Sequence, residues 1–496
     1  MFGTLKIFYD MKTVFLLLLI FSLSIVLQPV KAQNKESVTP EPLIHSYLGN
    51  ENRNYYGNEA PERLNLIWKL YLGEGISPAY GNPNKVWKGA GWTGQPLYIR
   101  EGDKNFLILG AFDYNLKKIN AETGEIVWEY AFDDIIKGSA TFCEISDQAD
   151  PEKKYVIIQG SRRGIDNAID TEYCPSLRGI SYLTGKELWR MNVRQTDSYS
   201  RDADGSALFV NDTAYLALEN GLFTVFSPDA DKQEMRDGMM QPKIYKQIQY
   251  YNEADMKIRG DGLESESSPT LLNNVIYTPS GSGHVYGYSI DEGKNVFDLN
   301  LKTDLNGSAP RTNDNCLIIP VEKEGIEGPG GAMKIDPSKP ADECVLWFYP
   351  TENRKWIHWE GGLIGSVAVN DAYISDNETH IAAFIDVAGW LHVVEHKVLE
   401  PNMKSTGPDG KTLYPVPKLL FKTKLKSGIS SPIIVNNKLI APVDGGIYLY
   451  QINLEKGKFT LLDSVMNLEI DATPIAADGK IFVAVRDGYL YCFGDK

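Results

Sequence analysis

The feature that most constrains the fold of this chain is a short hairpin pattern that recurs along it. In the first clear copy, Leu116–Tyr130, two apolar runs flank the turn Asn120–Gly124, and Ile126, Trp128 and Tyr130 alternate along the second run. Glycine takes the positive φ that such a turn needs, and a period of two is typical of a strand with one buried face. The pattern predicts an antiparallel β-hairpin anchored by a tryptophan.

The same pattern returns further along the chain. Tyr182–Arg190 is a close copy, and Tyr288–Phe297 and Tyr450–Phe459 are looser copies in which an aromatic residue still follows the glycine. Burying one such ring contributes roughly 2–3 kcal/mol, which is large for an outer strand with little other apolar area. The recurrence indicates a repeat architecture.

Eight short signatures of Ser, Thr, Ala and Pro precede apolar runs, and we interpret each as the start of one repeat. The uninterrupted spacings, from Pro269 to Pro310 and from Pro432 to Pro474, are 41 and 42 residues. This is the length of a four-stranded blade. The starts lie at 93–96, 138–141, 205–207, 267–270, 307–310, 365–368, 430–432 and 471–474. The sequence therefore predicts an all-β fold, an eight-bladed β-propeller of four-stranded antiparallel blades.

The last repeat, Asp471–Phe493, ends after three strands, whereas Leu64–Leu72 carries the tryptophan of the repeat without a hairpin before it. We expect this N-terminal strand to complete the last blade, because closure of the ring protects its strand edges. The predicted organisation is a signal peptide at 1–32, a polar linker at 33–62 that is ordered only where it contacts the propeller, and a single propeller at 63–496.

Residues 11–32 have the features of a secretory signal peptide. Lys12 precedes an apolar run, and Ala32 is a small residue at the expected cut; Met11 is an alternative start. A membrane anchor is the other interpretation, but the run is shorter than the ~20 residues that a span needs. We expect export to the periplasm or the cell exterior, with no transmembrane segment after cleavage.

The net charge limits the kind of partner that the protein can bind, and the cysteine count limits its disulfide bonds. Removal of residues 1–32 would take the formal net charge from −15 to about −17, which argues against nucleic acid as a partner. Five cysteines leave at least one thiol unpaired. Cys143 with Cys174, and Cys316 with Cys344, each fall in one predicted blade, so disulfides and buried thiols both remain open. We expect a monomer.

The repeat resembles that of a known family. The order Thr-Gly-Glu/Lys, two residues, Trp, which ends at Trp128 and at Trp189, resembles the repeat of the quinoprotein-type β-propellers. That family includes the pyrroloquinoline quinone (PQQ) dehydrogenases and non-enzymatic outer-membrane assembly lipoproteins. The resemblance implies the propeller over about residues 64–496, but a shared fold does not imply one activity. The family's enzymes carry an adjacent Cys-Cys disulfide, which this sequence lacks, and none of their site residues can be transferred.

The candidate site follows from the predicted fold. Loops that lead from the outer strand of one blade to the inner strand of the next open onto one face, around the central channel, and here they carry carboxylates, cations and indoles. The alternative is that they are charged only because they are solvated loops. Asp202, Asp204, Asp261, Glu264 and Glu266 offer hard oxygen ligands suited to calcium, and Asp204, Asp261 and Glu264 are the metal candidates. The candidate ligand-binding residues are Trp87, Trp92, Arg162, Arg163, Arg201, Asp202, Asp204, Arg259, Asp261, Glu264, Trp356, His358, Trp359 and Glu360.

The sequence favours an exported, non-catalytic propeller that holds a small polar ligand or an envelope protein at the channel mouth. The alternatives are a PQQ- and calcium-dependent dehydrogenase and a periplasmic envelope-assembly scaffold. No nucleophile elbow, phosphate loop or zinc-protease motif occurs, so no catalytic residue is predicted. His392 and His396 share one face of a predicted strand but stand too far apart for one metal, and we interpret them as structural.

Overall fold

Each predicted repeat forms an antiparallel sheet, and the eight sheets are the blades of a β-propeller, which confirms the predicted fold class. The structure is a computed structural model that describes residues 39–79 and 81–495. The predicted signal peptide and residues 33–38 of the predicted linker lie outside this range. Among the described residues, no helix is long and apolar enough to cross a membrane.

Four strands precede the first blade in the chain. They are β1 (Glu41–Ile44), β2 (Asn65–Tyr71), β3 (Glu74–Ile76) and β4 (Val86–Lys88). β3 and β4 pair with each other. β1 adds to the inner edge of blade 1, where it pairs with β5 (Leu97–Glu101).

Blades 1 to 4 follow in chain order, each from its inner strand to its outer strand. Blade 1 contains β5, β6 (Lys104–Gly110), β7 (Asn115–Asn120) and β8 (Ile126–Ala131); blade 2 contains β9 (Thr141–Glu144), α1 (Pro151–Lys154), β10 (Tyr155–Gly160), β11 (Leu177–Ser181) and β12 (Glu187–Met191). Blade 3 contains β13 (Leu208–Val210), β14 (Thr213–Ala217), β15 (Leu222–Phe226), a 3₁₀ turn (Ala230–Lys232), the inserted hairpin β16 (Glu234–Arg236) and β17 (Met239–Gln241), and β18 (Ile244–Gln249). The helix α2 (Glu253–Arg259) leads to blade 4, which contains β19 (Thr270–Leu272), β20 (Val275–Pro279), β21 (His284–Ser289) and β22 (Lys294–Asn300).

Blades 5 and 7 depart from the regular pattern. Blade 5 contains β23 (Leu317–Val321), β24 (Gly331–Ile335) and β25 (Val345–Pro350), with a bridge from Arg311 to Leu317 in place of an inner strand. Blade 6 contains β26 (Ala368–Val369), β27 (Ile381–Ile385), β28 (Trp390–Thr406) and β29 (Leu413–Lys424). Blade 7 contains β30 (Ile433–Val435), β31 (Lys438–Asn453) and β32 (Lys458–Glu469). β31 supplies both middle strands: the chain turns at Gly445, which has a positive φ, and Ile452 N donates to Asn437 O at 2.8 Å.

The last blade confirms the predicted closure of the ring. It contains β33 (Ile475–Ala477), β34 (Lys480–Ala484) and β35 (Tyr489–Gly494). β2 pairs antiparallel with β35, from Asn65 opposite Gly494 to Tyr71 opposite Tyr489. The two ends of the propeller are therefore joined by backbone hydrogen bonds, and no edge is left open at the join.

The repeat tryptophans connect neighbouring blades. Trp128 on β8 donates Nε1–H to the carbonyl of Tyr182 in blade 2 (3.0 Å), and Trp68 on β2 donates to Ala121 in blade 1 (3.2 Å). A Cβ on Gly185 or on Gly124 would lie 2.9 Å from these two rings, respectively. In these two repeats the glycine therefore both turns the chain, at positive φ, and leaves room for the tryptophan of the preceding blade.

The predicted linker contains a segment that fills the central channel, which we call the channel plug (residues 45–58). The Tyr47 hydroxyl lies 3.4, 3.0 and 3.3 Å from the hydroxyls of Ser366, Ser431 and Thr473, at the starts of blades 6, 7 and 8. The guanidinium of Arg53, which is fully buried, donates to backbone carbonyls of blades 3 and 4. The sequence predicts order only where this segment contacts the propeller, and the structure places that contact inside the ring.

The sequence left open whether the cysteines form disulfides or remain buried thiols, and the structure shows thiols. All five cysteines are buried free thiols. Burial raises the pKa of Cys174 to about 11 and that of Cys316 to about 12. Each thiol therefore packs as a small apolar side chain.

Candidate functional site

The inter-blade loops and the turns between second and third strands meet on one face of the ring, and Lys137 lies among four carboxylates there. Its Nζ contacts Asp204 and lies 3.6 Å from Glu266 Oε1 and 3.8 Å from Asp202 Oδ2 and Glu219 Oε1. Only 18% of the lysine side chain is exposed. Lys137 follows the outer strand of blade 1, and the carboxylates come from loops around blade 3, so folding brings these charges together.

Arg259 organises the adjacent part of the same face. It is the last residue of α2, and its guanidinium lies 2.8 Å from Glu324 and 3.5 Å from Asp304. Glu264 Oε1 accepts from the Tyr199 hydroxyl at 3.1 Å. We call the combined group the acidic mouth; it comprises the carboxylates Asp202, Asp204, Glu219, Glu264, Glu266, Asp304, Glu322 and Glu324 and the cations Lys137, Arg162 and Arg259.

Burial and mutual repulsion shift the pKa values in the acidic mouth. Burial raises the pKa of Asp204, Glu219 and Asp304, and nearby carboxylates raise that of Glu219 and Asp304 further. Burial also raises the pKa of Glu266, to about 8. Burial alone would lower the pKa of Lys137, but the four carboxylates around it outweigh burial, and its pKa is raised. Lys137 therefore stays cationic at neutral pH, whereas Glu266, with a pKa of about 8, is largely protonated there.

Several buried carboxylate oxygens in the acidic mouth have no hydrogen-bond donor. Oδ1 of Asp204, Oε1 of Glu219, Oε2 of Glu264 and Oδ1 of Asp304 make no hydrogen bond, although all four side chains are buried. Buried charged oxygens are costly when they lack a partner. This part of the molecule can therefore accept an additional cation or hydrogen-bond donor.

Aromatic side chains lie on the same face. Trp92 packs with Ile364, Val387 and Ile429 in a small apolar cluster, and Trp356 and Trp359 pack against it from the loop before blade 6. The rings of Trp356 and Trp359 are stacked, with centroids 5.5 Å apart. Burial lowers the pKa of His358, and Glu324 opposes that shift. The tryptophan loop therefore lies beside the acidic mouth.

The structure brings some of the sequence-predicted residues into the mouth. Asp202 accepts from Arg162 Nε at 2.9 Å and from the backbone N–H of Arg163 at 3.0 Å. The Arg163 side chain itself donates to Asn167 O in the inserted loop. Arg162, Asp202, Asp204, Arg259 and Glu264 thus contribute side chains to the mouth, whereas Arg163 contributes its backbone.

Other predicted residues lie outside the acidic mouth. Arg201 is buried and donates to carbonyls of Val193, Ile169 and Thr171, so its role in this structure is to hold loops of blade 2. The Trp87 Nε1–H donates to Ser77 O at 2.8 Å. The side chains of Asp261, His358 and Glu360 are exposed.

Sequence reasoning missed Lys137, Glu219, Asp304, Glu322 and Glu324. Lys137 and Asp304 lie in inter-blade loops, whereas Glu219 and Glu322 lie in turns between second and third strands, which open on the same face. A signal was present, because Glu219 precedes the tight turn at Gly221, and Lys137 precedes the blade start at 138–141. Because the inter-blade loops and these turns open on the same face, the predicted fold already placed both residues there.

The acidic mouth also contains oxygen atoms that could hold a metal ion. One oxygen from each of Asp204, Glu219 and Glu266 lies within 4.8 Å of the others. Of the oxygen ligands suggested by the sequence, Asp204 and Glu266 belong to this group, and Glu264 lies beside it. Lys137 Nζ already lies among these oxygens, so a metal would compete with the ammonium group.

Comparison with known proteins gives sequence relatives of one kind. No family model matches the chain. Over 89 residues, 18% of this chain, it is 33% identical to outer membrane protein assembly factor BamB of Escherichia coli (strain K12), and this match spans only 21% of that relative. Over 371 residues it is 20% identical to BamB of Yersinia pestis, covering 68% of this chain and 81% of that protein.

Two solved structures share the fold. The crystal structure of BamB from Moraxella catarrhalis aligns with a TM-score of 0.52 and 12% identity over 87% of this chain and 98% of that one. A europium-containing methanol dehydrogenase aligns with a TM-score of 0.55 and 12% identity over 91% and 98%. The chain is an eight-bladed β-propeller. Its similarity to BamB in sequence, and to BamB and a methanol dehydrogenase in fold, agrees with the resemblance to PQQ-type propellers predicted from Trp128 and Trp189.

Proposed function

We propose that this PQQ-like propeller is an exported, non-catalytic scaffold that binds a cationic group of an envelope protein at the acidic mouth. The observation that carries the proposal is the excess of carboxylates over cations, with buried oxygens of Glu219, Glu264 and Asp304 that lack a donor. A lysine or arginine side chain of a partner would supply the missing donors and charge. The sequence relatives support this class of function, since they are outer membrane protein assembly factors by name.

The chemistry beside the acidic mouth narrows the partner further. Trp356 and Trp359 are only partly buried, and His358 between them is influenced by the charge of Glu324. Indole rings at a protein surface bind apolar side chains and cations well. The expected partner segment therefore carries a basic residue next to an apolar or aromatic one.

Binding of short peptides tests this proposal. A labelled peptide that alternates lysine and tryptophan should bind, and the affinity should fall with added salt because the attraction is electrostatic. Glu219→Gln and Glu264→Gln should each weaken binding about tenfold or more. Asp261→Asn, which changes an exposed carboxylate on the same face, is the matched control and should bind as the unchanged protein does. Equal binding of a glutamate–tryptophan peptide, or no effect of the two Gln variants, would contradict the proposal.

The alternative is a PQQ- and calcium-dependent dehydrogenase, and the residues present fit that cofactor poorly. PQQ carries three carboxylates, whereas the cations of the acidic mouth already lie against protein carboxylates: Lys137 at Asp204, Arg162 at Asp202 and Arg259 at Glu324. Calcium would find oxygen ligands but would have to displace Lys137. We therefore derive no reaction step through this group.

Reconstitution separates the two functions. The purified protein is mixed with PQQ and calcium, and absorbance and dye reduction with alcohol substrates are followed. We expect neither cofactor uptake nor dye reduction above that of free PQQ. Dye reduction that is lost in Asp204→Asn would favour the dehydrogenase over the scaffold.

A further inference from the structure

A second cluster of titratable side chains lies at the other end of blade 6, opposite the inter-blade loops. Asp371 lies in the turn between β26 and β27, His380 immediately precedes β27, and His396 lies on β28. One ligand atom from each lies within 4.8 Å of the others, and all three side chains are buried. We propose that this cluster binds a divalent transition-metal ion, with zinc as the expected ion.

His380 has a ring nitrogen that makes no hydrogen bond and lies beside a carboxylate oxygen. His380 Nδ1 lies 3.3 Å from Asp371 Oδ1 but makes no hydrogen bond. The other ring nitrogen, Nε2, lies 3.3 Å from the carbonyl oxygen of Asp376, an acceptor, so the ring proton belongs on Nε2. Asn313 Nδ2 lies 3.4 Å from the same nitrogen but donates at 2.7 Å to Asp376 Oδ1. The Nδ1 lone pair therefore faces a carboxylate oxygen, and an ion between them would turn repulsion into coordination.

The geometry of the cluster fits a tetrahedral ion. Asp371 Oδ2 lies 2.9 Å from His396 Nε2, and Asp371 Oδ1 lies 3.3 Å from His380 Nδ1. With zinc–ligand bonds of ~2.0–2.1 Å, neighbouring ligand atoms in a tetrahedral site are about 3.3 Å apart. Two imidazoles and a carboxylate are a donor set that zinc prefers over calcium or magnesium. The contact of His380 Nε2 with a backbone carbonyl is also the type that orients metal-bound histidines.

Lys334 of the neighbouring blade opposes the ion. Its Nζ lies 3.1 Å from His396 Nδ1 and 2.5 Å from Asp314 Oδ2. When Nε2 of His396 binds a metal, the ring proton must lie on Nδ1, which then cannot accept from Lys334. The lysine would have to move towards Asp314. Lys334→Gln supplies an amide oxygen that can accept from Nδ1, and it should therefore bind zinc more tightly than the unchanged protein.

The ion would also stabilise the segment that holds the channel plug. Asp371 begins the turn that contains Tyr373, and the Tyr373 hydroxyl accepts from Tyr56 N at 2.7 Å and donates to Gly57 O at 2.9 Å. A metal bound to Asp371 and His380 would fix both ends of this turn. Zinc should therefore slow hydrogen exchange of the plug backbone near Tyr56.

Metal uptake by the full chain tests the site. The protein is stripped with a chelator, dialysed against zinc and analysed for metal, and its thermal midpoint is measured with and without zinc. We expect about one zinc per chain and a higher midpoint with zinc, since an ion that binds only the folded state stabilises it. Cobalt bound in its place should show the visible absorption of a tetrahedral site. Absence of zinc uptake by the unchanged protein would overturn the proposal.

Matched variants locate the ion. His380→Gln and His396→Gln should each lose the zinc, whereas His392→Gln should keep it, because His392 pairs with Asp386 in the same blade without a third ligand. Glu219→Gln, in the acidic mouth, should also keep it. Zinc retained by His380→Gln and lost by Glu219→Gln would place the ion in the mouth and overturn the assignment. Loss in His392→Gln as well would attribute the effect to blade packing and would also count against the site.

Discussion

The hydroxyls of Tyr47 and Ser431 lie 3.0 Å apart at the centre of the ring, although 384 positions separate them in sequence. Tyr47 precedes the first blade, and Ser431 starts the seventh. The contact shows that the channel is filled by the chain's own N-terminal segment. The acidic mouth, on the face of the inter-blade loops, is thus backed by protein in the channel.

Substitution of Tyr47 tests the role of the plug. Tyr47→Ala should lower the free energy of unfolding by about 3–5 kcal/mol, because it leaves a cavity and several hydroxyls without a partner. Tyr47→Phe should lower it by about 1 kcal/mol, through the lost hydrogen bonds alone. Urea unfolding measures both. Tyr245→Ala, at an exposed ring, is the control, and a Tyr47→Ala protein as stable as this control would show that the plug contributes nothing to stability.

The repeat tryptophans should not be equivalent. The sequence alone predicts a loss of about 3–5 kcal/mol for both Trp128→Ala and Trp189→Ala. Trp189 is 2% exposed, whereas Trp128 is only partly buried. We therefore expect the full loss for Trp189→Ala and about 2–3 kcal/mol for Trp128→Ala, in proportion to buried area. A denaturant series that ranks them in the opposite order would contradict this expectation.

Glu266 should make stability depend on pH. Its pKa is raised to about 8 from 4.5, first by burial, so the folded state holds a proton that the unfolded state releases above pH 4.5. Stability should therefore fall as pH rises from about 4.5 to 8. Glu266→Gln removes this contribution. The thermal midpoint of the variant, relative to that of the unchanged protein, should therefore rise as pH increases from about 4.5 to 8. Parallel midpoint curves for the two proteins would refute the assignment.

His284 should also make stability depend on pH, and its contribution should be stabilising at low pH. Burial lowers its pKa, but hydrogen bonds to Asp298 and Asp255 outweigh burial, and the pKa is raised. Its stabilising contribution is complete below the unfolded value of 6.5 and is lost as pH rises through the folded value. His284→Gln should therefore lower the thermal midpoint more at about pH 5.5 than at about pH 8.5.

His392 provides the opposite case as a control. Burial lowers its pKa below 6.5, so the folded state disfavours the proton that the unfolded histidine accepts. The thermal midpoint of His392→Gln, relative to that of the unchanged protein, should therefore rise as pH falls. The same pH trend for both variants would show that neither effect comes from the histidine itself.

The propeller architecture could be predicted from local signals in the sequence. Trp128 and Trp189, the Thr-Gly turns and the regular blade starts are local signals, and each blade buries its apolar face only against another blade. Closure by Leu64–Leu72 followed because the last repeat lacked one strand. These features could be predicted because they depend on residues close together in the chain.

The plug in the channel and the charged cluster at its mouth could be seen only in the tertiary structure. The segment around Tyr47 and Arg53 has no apolar periodicity, and its partners are single side chains and carbonyls from several blades that become neighbours only when the ring closes. Lys137 and Glu219 are likewise ordinary loop and turn residues in sequence. Their altered pKa values arise from burial and from charges of other loops, and both depend on distances in the folded ring that no local pattern encodes.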